Sequence, residues 1–437
     1  MDYRLPNNWT WKKLGDIAYV IGGVSYNPDD IVSCGIRIIR GGNIQNGIIL
    51  QKTDDVFLPM TYANNENQVH KYDTVLVSST GSVDALAKAA TCFEEMPNTQ
   101  IGAFMRIIRP KDEKYTMLVS AWCTSQHFRN YLISYARGTS INNIRTEFLT
   151  DFELPVPTDT ELKSISSLYY NLEQKLLLNR QINRNLEALA KQIYDYWFVQ
   201  FDFPDEKGRP YKSSGGKMVW NEVLKREIPK GWDVKNLGDI LTKIDSGKRP
   251  AGGIDKSLKT GIPSLGAECI DELGVFDYSS TPYIANQYLS KLTSGRIEDN
   301  DILIYKDGAY VGKTTLFRDQ FPFKDAFVNE HVFLIRANNI ELEEYLLFTL
   351  KSEAYFQIMQ TLGKAKAAQP GLNQQDLKQI SVLIPDGVIA LNFNAMVDNL
   401  FNSLFLNAKQ IARLTNLRDE LLPLLMNGQV NSDLSAC

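Results

Sequence analysis

Histidine, cysteine and long apolar runs are all scarce in this chain of 437 residues. It has three histidines and five cysteines, and no Cys-x-x-Cys pair occurs. We therefore expect neither a disulfide framework nor a zinc or other metal site. No stretch of about 18 consecutive apolar residues occurs, and the first residues lack the basic start and apolar segment of a signal peptide. These absences favour a soluble globular protein of the cytoplasm.

Two motifs of cofactor-dependent DNA chemistry are also missing. No Gly-x-Gly sequence occurs, which excludes the dinucleotide fingerprint and the usual glycine loop for S-adenosylmethionine. No Pro-Pro dipeptide occurs, so the chain lacks the Asn/Asp-Pro-Pro-aromatic motif with which amino-methyltransferases hold a flipped base. We therefore expect that the chain does not methylate DNA by itself and that a methyl donor binds elsewhere.

Two fragments imitate enzyme motifs but depart from them. Residues 308–314 have three residues between their glycines, whereas a phosphate-binding P-loop needs four, which favours an ordinary turn over nucleotide binding. Asp205, Asp233 and Lys235 imitate a nuclease metal site, but Asp233 and Lys235 belong to a repeated segment whose other copy has no acid. The three histidines are scattered, so the sequence predicts no catalytic residue.

What the sequence does contain is a long internal repeat. Pro6–Ile17 and Pro229–Ile240 share seven of twelve residues, 223 positions apart. Further matches follow at offsets that rise steadily from 226 to 228: Ile36/Ile262, Thr74/Asp301, Arg109/Arg336, Leu149/Leu377, Pro157/Pro385 and Leu186/Leu414. Solenoid repeats span only about 20 to 50 residues. The long period instead indicates a duplicated module, which usually faces two related targets.

Each copy changes character about 155 residues after it begins. Short β-branched runs alternate with Gly, Asn and Pro up to Pro157, which is typical of strands and loops. Thr158 and Glu161 then form a capping box, and no Gly or Pro follows as far as Phe198. This predicts a helix of about 40 residues, near 60 Å long. We predict a mixed α/β (α+β) fold with globules at 1–157 and 229–385, helices at 158–199 and 386–428, a docked connector at 200–228 and a tail at 429–437.

Apolar residues in both long segments recur at alternating steps of three and four, the pattern of a coiled coil. Two copies related by a pseudo-two-fold axis would place these helices antiparallel. Asn179 and Asn407 then lie near the middle and approach each other; alternatively, each lies at a solvated edge. The residues predicted to pair the helices are Leu172, Leu176, Asn179, Leu186, Leu400, Leu404, Asn407 and Leu414.

Two acid-free segments, Thr124–Thr146 and Ala354–Gln375, point to DNA recognition because they are rich in Arg, Lys, Asn and Gln. These side chains read base edges and clamp phosphates. The net charge of −4 argues mildly against nucleic-acid binding, and a solvated loop without a ligand stays an alternative. The copies differ most in these loops, so we expect them to bind different sequences.

The predicted DNA-binding residues come from these segments, from the stretch after each repeated Trp motif and from the ends of strand-like runs. In the first copy they are Tyr26, Arg40, Asn43, Ser79, Thr80, Ser82, Arg137, Thr139, Ser140, Asn142, Asn143 and Arg145. In the second copy they are Ser246, Lys248, Arg249, Lys306, Tyr310, Lys313, Lys364, Lys366 and Gln369.

The connector from Phe201 to Trp232 contains Gly-Arg-Pro-Tyr-Lys-Ser-Ser-Gly-Gly-Lys-Met and Glu-Ile-Pro-Lys-Gly-Trp. Together with the repeated Pro-x-x-Trp-x-x-x-x-Leu-Gly-Asp-Ile starts and the exits into long helices at Pro157 and Pro385, these motifs make the whole chain resemble the specificity subunits of type I restriction-modification enzymes. The resemblance implies that each globule is a target recognition domain reading one half of a bipartite site in double-stranded DNA. The helices would form an antiparallel spacer between the two domains.

The resemblance also implies the partners. Two methyltransferase (modification) subunits, with S-adenosylmethionine and adenine-N6 chemistry, would dock on the helices. Restriction subunits would add translocation and cleavage with ATP and Mg, so that the complex serves DNA methylation and phage defence. This chain would then be non-catalytic and hold no cofactor, and it would not contact a membrane. The competing interpretation is a two-fold coiled-coil scaffold that joins protein partners without binding DNA.

Overall fold

The computed structural model describes residues 6, 8–45, 47–52, 54–82, 85–136, 142–248, 257–270, 272–275, 281–308, 310–364 and 371–429. The chain divides into two compact units, residues 1–176 with 414–437 and residues 177–413. Each unit contains one globule and a part of each long helix.

The first globule consists of small sheets backed by short helices. Its strands are β1 (Thr10–Lys13), β2 (Ala18–Gly22), β3 (Ile36–Ile39), β4 (Ile44–Gln45), β5 (Ile48–Ile49), β6 (Val56–Leu58), β7 (Thr74–Val77), β8 (Ser79–Thr80), β9 (Ala89–Thr91), β10 (Thr99–Ile101), β11 (Met105–Pro110), β12 (Asn142–Asn143) and β13 (Glu153–Val156). Its helices are α1 (Leu14–Ile17), α2 (Thr116–Thr124), α3 (Gln126–Ala136) and α4 (Thr146–Thr150). An antiparallel sheet has the order β2-β11-β7-β9, and a mixed sheet has the order β10-β3-β6.

The second globule repeats this arrangement. After α5 (Asp159–Tyr194), its strands are β14 (Met218–Asn221), β15 (Arg226–Pro229), β16 (Asp233–Asn236), β17 (Leu241–Ser246), β18 (Ile262–Leu265), β19 (Tyr283–Ile284), β20 (Ile302–Tyr305), β21 (Thr314–Leu316), β22 (Phe327–Val328), β23 (Val332–Ala337) and β24 (Ser381–Ile384). Its helices are α6 (Glu343–Lys351), α7 (Glu353–Lys364) and α8 (Gln374–Lys378), and α9 (Gly387–Met426) follows. The sheets have the orders β17-β23-β20-β21 and β19-β18-β22, which match those of the first globule strand for strand. The predicted mixed α/β fold with a duplicated module is confirmed.

The strand registers correct one detail of the sequence repeat. Thr74 pairs with Ile108 in the first globule, and Ile302 pairs with Ile335 in the second. Strand β7 therefore corresponds to β20 at an offset of 228, whereas β11 corresponds to β23 at 227. The match of Thr74 with Asp301 was wrong by one residue, and the offset does not rise steadily. The sequence match was wrong by one residue because a strand buried on both faces has no apolar-polar alternation that fixes its register.

A buried ion pair occurs at the same place in both globules. Asp73 accepts hydrogen bonds from Nε and Nη2 of Arg109 at 2.9 and 2.7 Å. Asp301 accepts the same two bonds from Arg336 at 2.8 and 2.9 Å. Both aspartate side chains are almost fully buried. The hydrogen bond from Arg336 to Asp301 raises the pKa of the guanidinium, which is charged at neutral pH in any case, whereas burial raises the pKa of the Asp301 carboxyl.

Removing the carboxylate of this pair is expected to destabilise the second unit strongly. Asp301→Asn leaves Arg336 without its buried partner, and we expect a loss of roughly 3 kcal/mol in the free energy of unfolding. Glu298→Gln is the matched control, because Glu298 contacts the same arginine at 2.7 Å but is 59% exposed. Its loss should stay below about 1 kcal/mol. Urea unfolding of the full chain measures both, and equal shifts for the two variants would contradict the assignment.

The two long helices begin and end close to the predicted positions. Thr158 Oγ1 accepts from the Glu161 N–H at 3.4 Å and Glu161 Oε2 accepts from the Thr158 N–H at 3.3 Å, which is the predicted capping box in front of α5. In the first unit, Ile165 near the start of α5 packs against Leu425 near the end of α9. In the second unit, Trp197, just after α5, lies 6.0 Å from Phe393 near the start of α9, measured between ring centroids. A second contact in each unit gives the direction: Arg418 Nη1 donates to Glu173 Oε1 at 3.1 Å in the first unit, and Asn407 donates to Asn183 in the second, so α5 and α9 run antiparallel within each unit.

Asparagines lie between the helices in the second unit. Asn407 Nδ2 donates to the backbone carbonyl of Asn179 at 2.9 Å and to Oδ1 of Asn183 at 3.0 Å. Asn183 is only 5% exposed and Asn407 is partly buried, so the contact between these two amides lies between the helices. A buried polar contact of this kind opposes slippage of one helix along the other. The predicted pairing residues Leu176 and Leu404 are fully buried, and Leu172, Leu186, Leu400 and Leu414 are partly buried.

The connector between the two copies is packed onto the second globule. Phe201 and Phe203 are buried, and their rings lie 5.6 and 5.2 Å from the ring of Trp232. Arg226 places its guanidinium 4.5 Å from the Phe201 ring centroid. The aromatic residues of the connector thus anchor it.

Among the described helices, none combines the length and apolar character needed to cross a membrane.

Candidate nucleic-acid interface

Three segments of the first globule meet at the end of β7 and form what we name the first strand-end cluster: Ser78–Ser82, Gly102–Arg106 and Asn142–Thr146. The carbonyl of Phe104 accepts hydrogen bonds from the N–H groups of Ser78 and Ser79 at 2.9 and 3.1 Å. Asn143 pairs with Ser79 in the small sheet β8-β12, and the Ile144 N–H donates to the Ser78 carbonyl at 2.8 Å. The end of β7 and the Arg/Asn loop, separated by about 60 residues, are thereby brought together.

The second globule builds an equivalent second strand-end cluster from Tyr305–Gly308 with Tyr310, Asn329–His331 and Gly371–Asn373. The Lys306 N–H donates to the His331 carbonyl at 3.0 Å, and the Leu372 N–H donates to the Lys306 carbonyl at 2.8 Å. Asp307 forms a β-bridge with Gly371. The backbone contacts are the same as in the first cluster, whereas the side chains differ.

The stretch after each repeated Trp motif borders these clusters through a close backbone contact. A Cβ on Gly23 would lie 2.0 Å from the carbonyl oxygen of Gly102, so only glycine fits there. The Gly247 N–H donates to the Asn329 carbonyl at 3.2 Å in the second globule. Lys248 follows directly and is exposed. The structure thus joins segments that the sequence analysis could only name separately.

Apart from the aromatic Phe104, the exposed side chains of the first cluster are polar or cationic, and its three segments contain no acidic residue. Ser82, Asn143 and Arg145 are exposed, and Ser79 and Thr80 are partly exposed. Sequence reasoning missed Arg106, which is half-buried and donates to the carbonyls of Ala103 and Met105 at 3.2 and 2.8 Å. Burial lowers the pKa of its guanidinium, which still stays charged at neutral pH.

The second cluster mixes charges. Lys306 Nζ donates to the Glu330 carbonyl at 3.1 Å and lies 5.1 Å from the centroid of the Phe333 ring. His331 Nδ1 lies 3.0 Å from Asp307 Oδ2. Sequence reasoning did not anticipate these acids beside the predicted lysine. Three other predicted side chains lie in or near this cluster: Tyr310, which is 59% exposed, Lys313, 6.0 Å from the Tyr310 ring centroid, and the exposed Lys364.

The structure contradicts the prediction for Asn43. Its side chain is 2% exposed, accepts from the Arg40 N–H at 2.8 Å and donates to the Leu50 carbonyl and Asp55 Oδ1. Asn43 therefore fixes its own loop and has no surface for DNA. Arg40 donates to the Asp54 carbonyl at 2.6 Å but keeps 41% of its side chain exposed.

The remaining predicted residues are placed as follows. Tyr26 is partly buried and packs on the small cluster of Ile36, Ile38, Val56 and Leu58. Ser246 is partly exposed at the end of β17. Arg137, Thr139, Ser140, Arg249, Lys366 and Gln369 lie outside the described residues, as does the side chain of Asn142.

The two fragments that imitate enzyme motifs have structural roles. The Gly312 N–H donates to the Tyr305 carbonyl at 2.8 Å and the Lys313 N–H to the Tyr310 carbonyl at 3.0 Å, so both point into a hairpin turn and not toward a phosphate. Asp205 binds Arg209, with Oδ2 to Nη2 at 2.9 Å. Within the described part of the chain, no group of His, Cys, Asp and Glu is arranged to hold a metal ion.

Two equivalent clusters on a duplicated scaffold are an arrangement typical of a recognition protein with two modules. The family described as type I restriction modification DNA specificity domain matches residues 6–188 and 229–412. The chain belongs to this family and carries two such domains. It is therefore a DNA-recognition component of the specificity-subunit class, which is non-catalytic.

Individual relatives span almost the entire chain. The MjaIX specificity subunit of a type I restriction enzyme from Methanocaldococcus jannaschii is 25% identical over 98% of this chain and 94% of its own length. The EcoKI specificity subunit from Escherichia coli is 23% identical over 99% and 91%. The S subunit of a type I restriction-modification system from M. genitalium has a similar fold, with a TM-score of 0.50 and 18% identity over 97% and 98% of the two chains.

Proposed function

We propose that this chain directs a type I restriction-modification complex to a bipartite site in double-stranded DNA, with each globule reading one part. The observation that carries the proposal is the repetition of one backbone arrangement with different side chains. The first cluster presents Ser, Thr, Asn and Arg, whereas the second presents Lys, His, Asp and Tyr. Because base edges are read by side-chain donors, acceptors and apolar groups, such clusters would select different bases.

The long helices carry exposed apolar residues at equivalent positions, which supports docking of two copies of one partner. Leu178 and Leu406, 228 residues apart, are 60% and 59% exposed. Two further equivalent pairs share this offset and are similarly exposed: Leu189 with Leu417, and Tyr196 with Leu424. Exposed apolar residues scattered singly are common, but their recurrence at equivalent positions of both helices fits one interaction surface that occurs twice. Two equivalent surfaces would bind two identical methyltransferase subunits.

The chemistry of methylation would belong to those partners. In this proposal they hold S-adenosylmethionine and transfer the methyl group to adenine N6, and restriction subunits use ATP and Mg to translocate and cleave DNA in the cytoplasm. This chain would contribute the choice of sequence and the distance between the two half-sites, which the helices would set. No contact in the described chain specifically favours a protein scaffold without a DNA role.

Tight DNA binding is expected only with the partner present. The net charge of −4 provides little attraction for phosphates, so the isolated chain should bind DNA with a Kd of about 10⁻⁶ to 10⁻⁴ M at physiological salt. With the methyltransferase subunit, sequence-specific Kd values of roughly 10⁻⁸ M or lower are expected. A gel-shift titration with and without the partner measures the difference.

Two matched variants link this effect to the helices. Leu189→Asp should weaken binding of the methyltransferase subunit and with it tight DNA binding, because it places a charge on the exposed apolar surface. Val223→Asp, at an exposed apolar residue of the connector outside the long helices, should change neither. Tight, sequence-specific binding by the isolated wild-type chain would contradict the proposal.

A further inference from the structure

Phe104 is an exposed aromatic residue on a fixed backbone. Its side chain is 68% exposed, in the turn between β10 and β11. Its carbonyl accepts from the N–H and Oγ of Ser78, at 2.9 and 3.0 Å, and from the N–H of Ser79 at 3.1 Å. The turn is closed by the Met105 N–H, which donates to the Gly102 carbonyl at 2.9 Å. The phenyl ring is thus held out from the globule by an ordered turn.

Single exposed apolar residues are common on protein surfaces and need no ligand. Phe104 differs from those because it lies in the acid-free first strand-end cluster. Ser79 and Asn143 are paired beside it, and Arg106 donates to the carbonyl of Ala103, the residue before it. An apolar group among donors, acceptors and a cation suits a base edge in the major groove, where thymine presents its 5-methyl group next to a carbonyl acceptor.

The corresponding position of the second globule holds His331. Its carbonyl accepts from the Lys306 N–H at 3.0 Å, as the carbonyl of Phe104 does from the Ser78 N–H at 2.9 Å. The imidazole is 52% exposed and lies 3.0 Å from Asp307 and 3.6 Å from Glu330. The same backbone position therefore presents an apolar ring in one globule and a polar ring in the other. A residue that varies on a constant backbone is suited to determine specificity.

We propose that Phe104 is a specificity-determining residue that contacts the 5-methyl group of a thymine in the half-site read by the first globule. This inference rests on the proposed function, because it assumes that the first strand-end cluster faces DNA. It adds to that function the base, thymine, that the first strand-end cluster selects. The ring makes an apolar contact with the methyl group. Ser79, Asn143 and Arg106 contact the adjacent polar edge of the base and the DNA backbone.

The test combines a protein variant with a base analogue. The wild-type chain and Phe104→Ala are each assembled with the methyltransferase subunit and titrated with duplexes in which single thymines of the site are replaced by uracil, which lacks the methyl group. One uracil in the first half-site should weaken wild-type binding about tenfold. Phe104→Ala should already bind the natural site with about tenfold lower affinity than the wild type. The same uracil should therefore lower its affinity little further.

Controls separate the possible outcomes. Phe104→Ala should unfold at the wild-type temperature, because its side chain is exposed. His331→Ala should alter preference only in the other half-site. The inference is overturned if Phe104→Ala binds like the wild type, if it weakens both half-sites equally, or if no uracil weakens wild-type binding. If the wild-type complex selects no sequence at all, the proposed function itself fails.

Discussion

Replacing residues 1–156 with the corresponding globule of another family member is expected to change one half of the methylated DNA sequence and leave the other half unchanged. The first strand-end cluster lies wholly within the replaced segment, whereas the second cluster lies wholly within 177–413. The effect is expected to be a complete change of the first half-site. Single-molecule methylation sequencing of cells that carry the hybrid and its partner subunits measures both halves at once.

The junction at residue 156 follows from the structure. Strand β13 ends at Val156, and the capping box at Thr158 begins the helix, so the exchange preserves both elements. Trp9 donates from Nε1 to Glu161 Oε2 at 3.0 Å, and Tyr169 packs in the globule's core. A donor globule should therefore keep a Trp at the position of Trp9.

The reciprocal exchange is the matched control. Replacing residues 229–384 should change only the other half-site. A hybrid in which both halves change would contradict the assignment of one reader to each globule. A hybrid that methylates the original sequence would place recognition outside the globules.

Much of the fold was predictable because the chain carries the same signals twice. The capping box at Thr158 and the apolar spacing of the long segments are local patterns, so both helices could be read from sequence. The repeated Arg109 and Arg336 were recognisable as equivalent positions. Their buried partners Asp73 and Asp301 could not be identified, because no local sequence pattern indicates an ion pair between two strands.

The site was less predictable because exposure and contact depend on tertiary structure. Asn43 is of a residue type that often contacts bases, but it is buried by its own loop. Phe104 reads as an ordinary apolar residue before a strand, yet its ring is exposed. Arg106 lies within the apolar run of β11, and nothing in that run indicates that its guanidinium borders the cluster. Each case was decided by how distant segments meet.

The long helices bury more residues than a two-helix coiled coil requires. Phe401, Phe405 and Ala408 are fully or almost fully buried in addition to the predicted spacing. Phe401 lies 5.8 Å from Phe348 of α6, measured between ring centroids. The extra burial arises because α9 packs against the second globule as well as against α5. The sequence pattern of alternating three and four steps captured the helix pair but not this second contact.

Lengthening both helices by one heptad is expected to lengthen the unread gap in the DNA site. The division between the two units falls after Leu176 in α5 and after Arg413 in α9. Seven residues inserted at each place keep the spacing of apolar residues in both helices. They add about 10 Å of helix, which corresponds to about three base pairs. Insertion into α5 alone would offset the helices and should abolish methylation.

Sequencing the sites methylated by this double-insertion chain with its partner subunits tests most directly whether two readers are held apart by the helices. The same heptad added after Gly428, beyond the end of α9, is the control and should leave the site unchanged. The account predicts two unaltered half-sites separated by a gap about three base pairs longer. An unchanged gap, or an altered half-site, would contradict it.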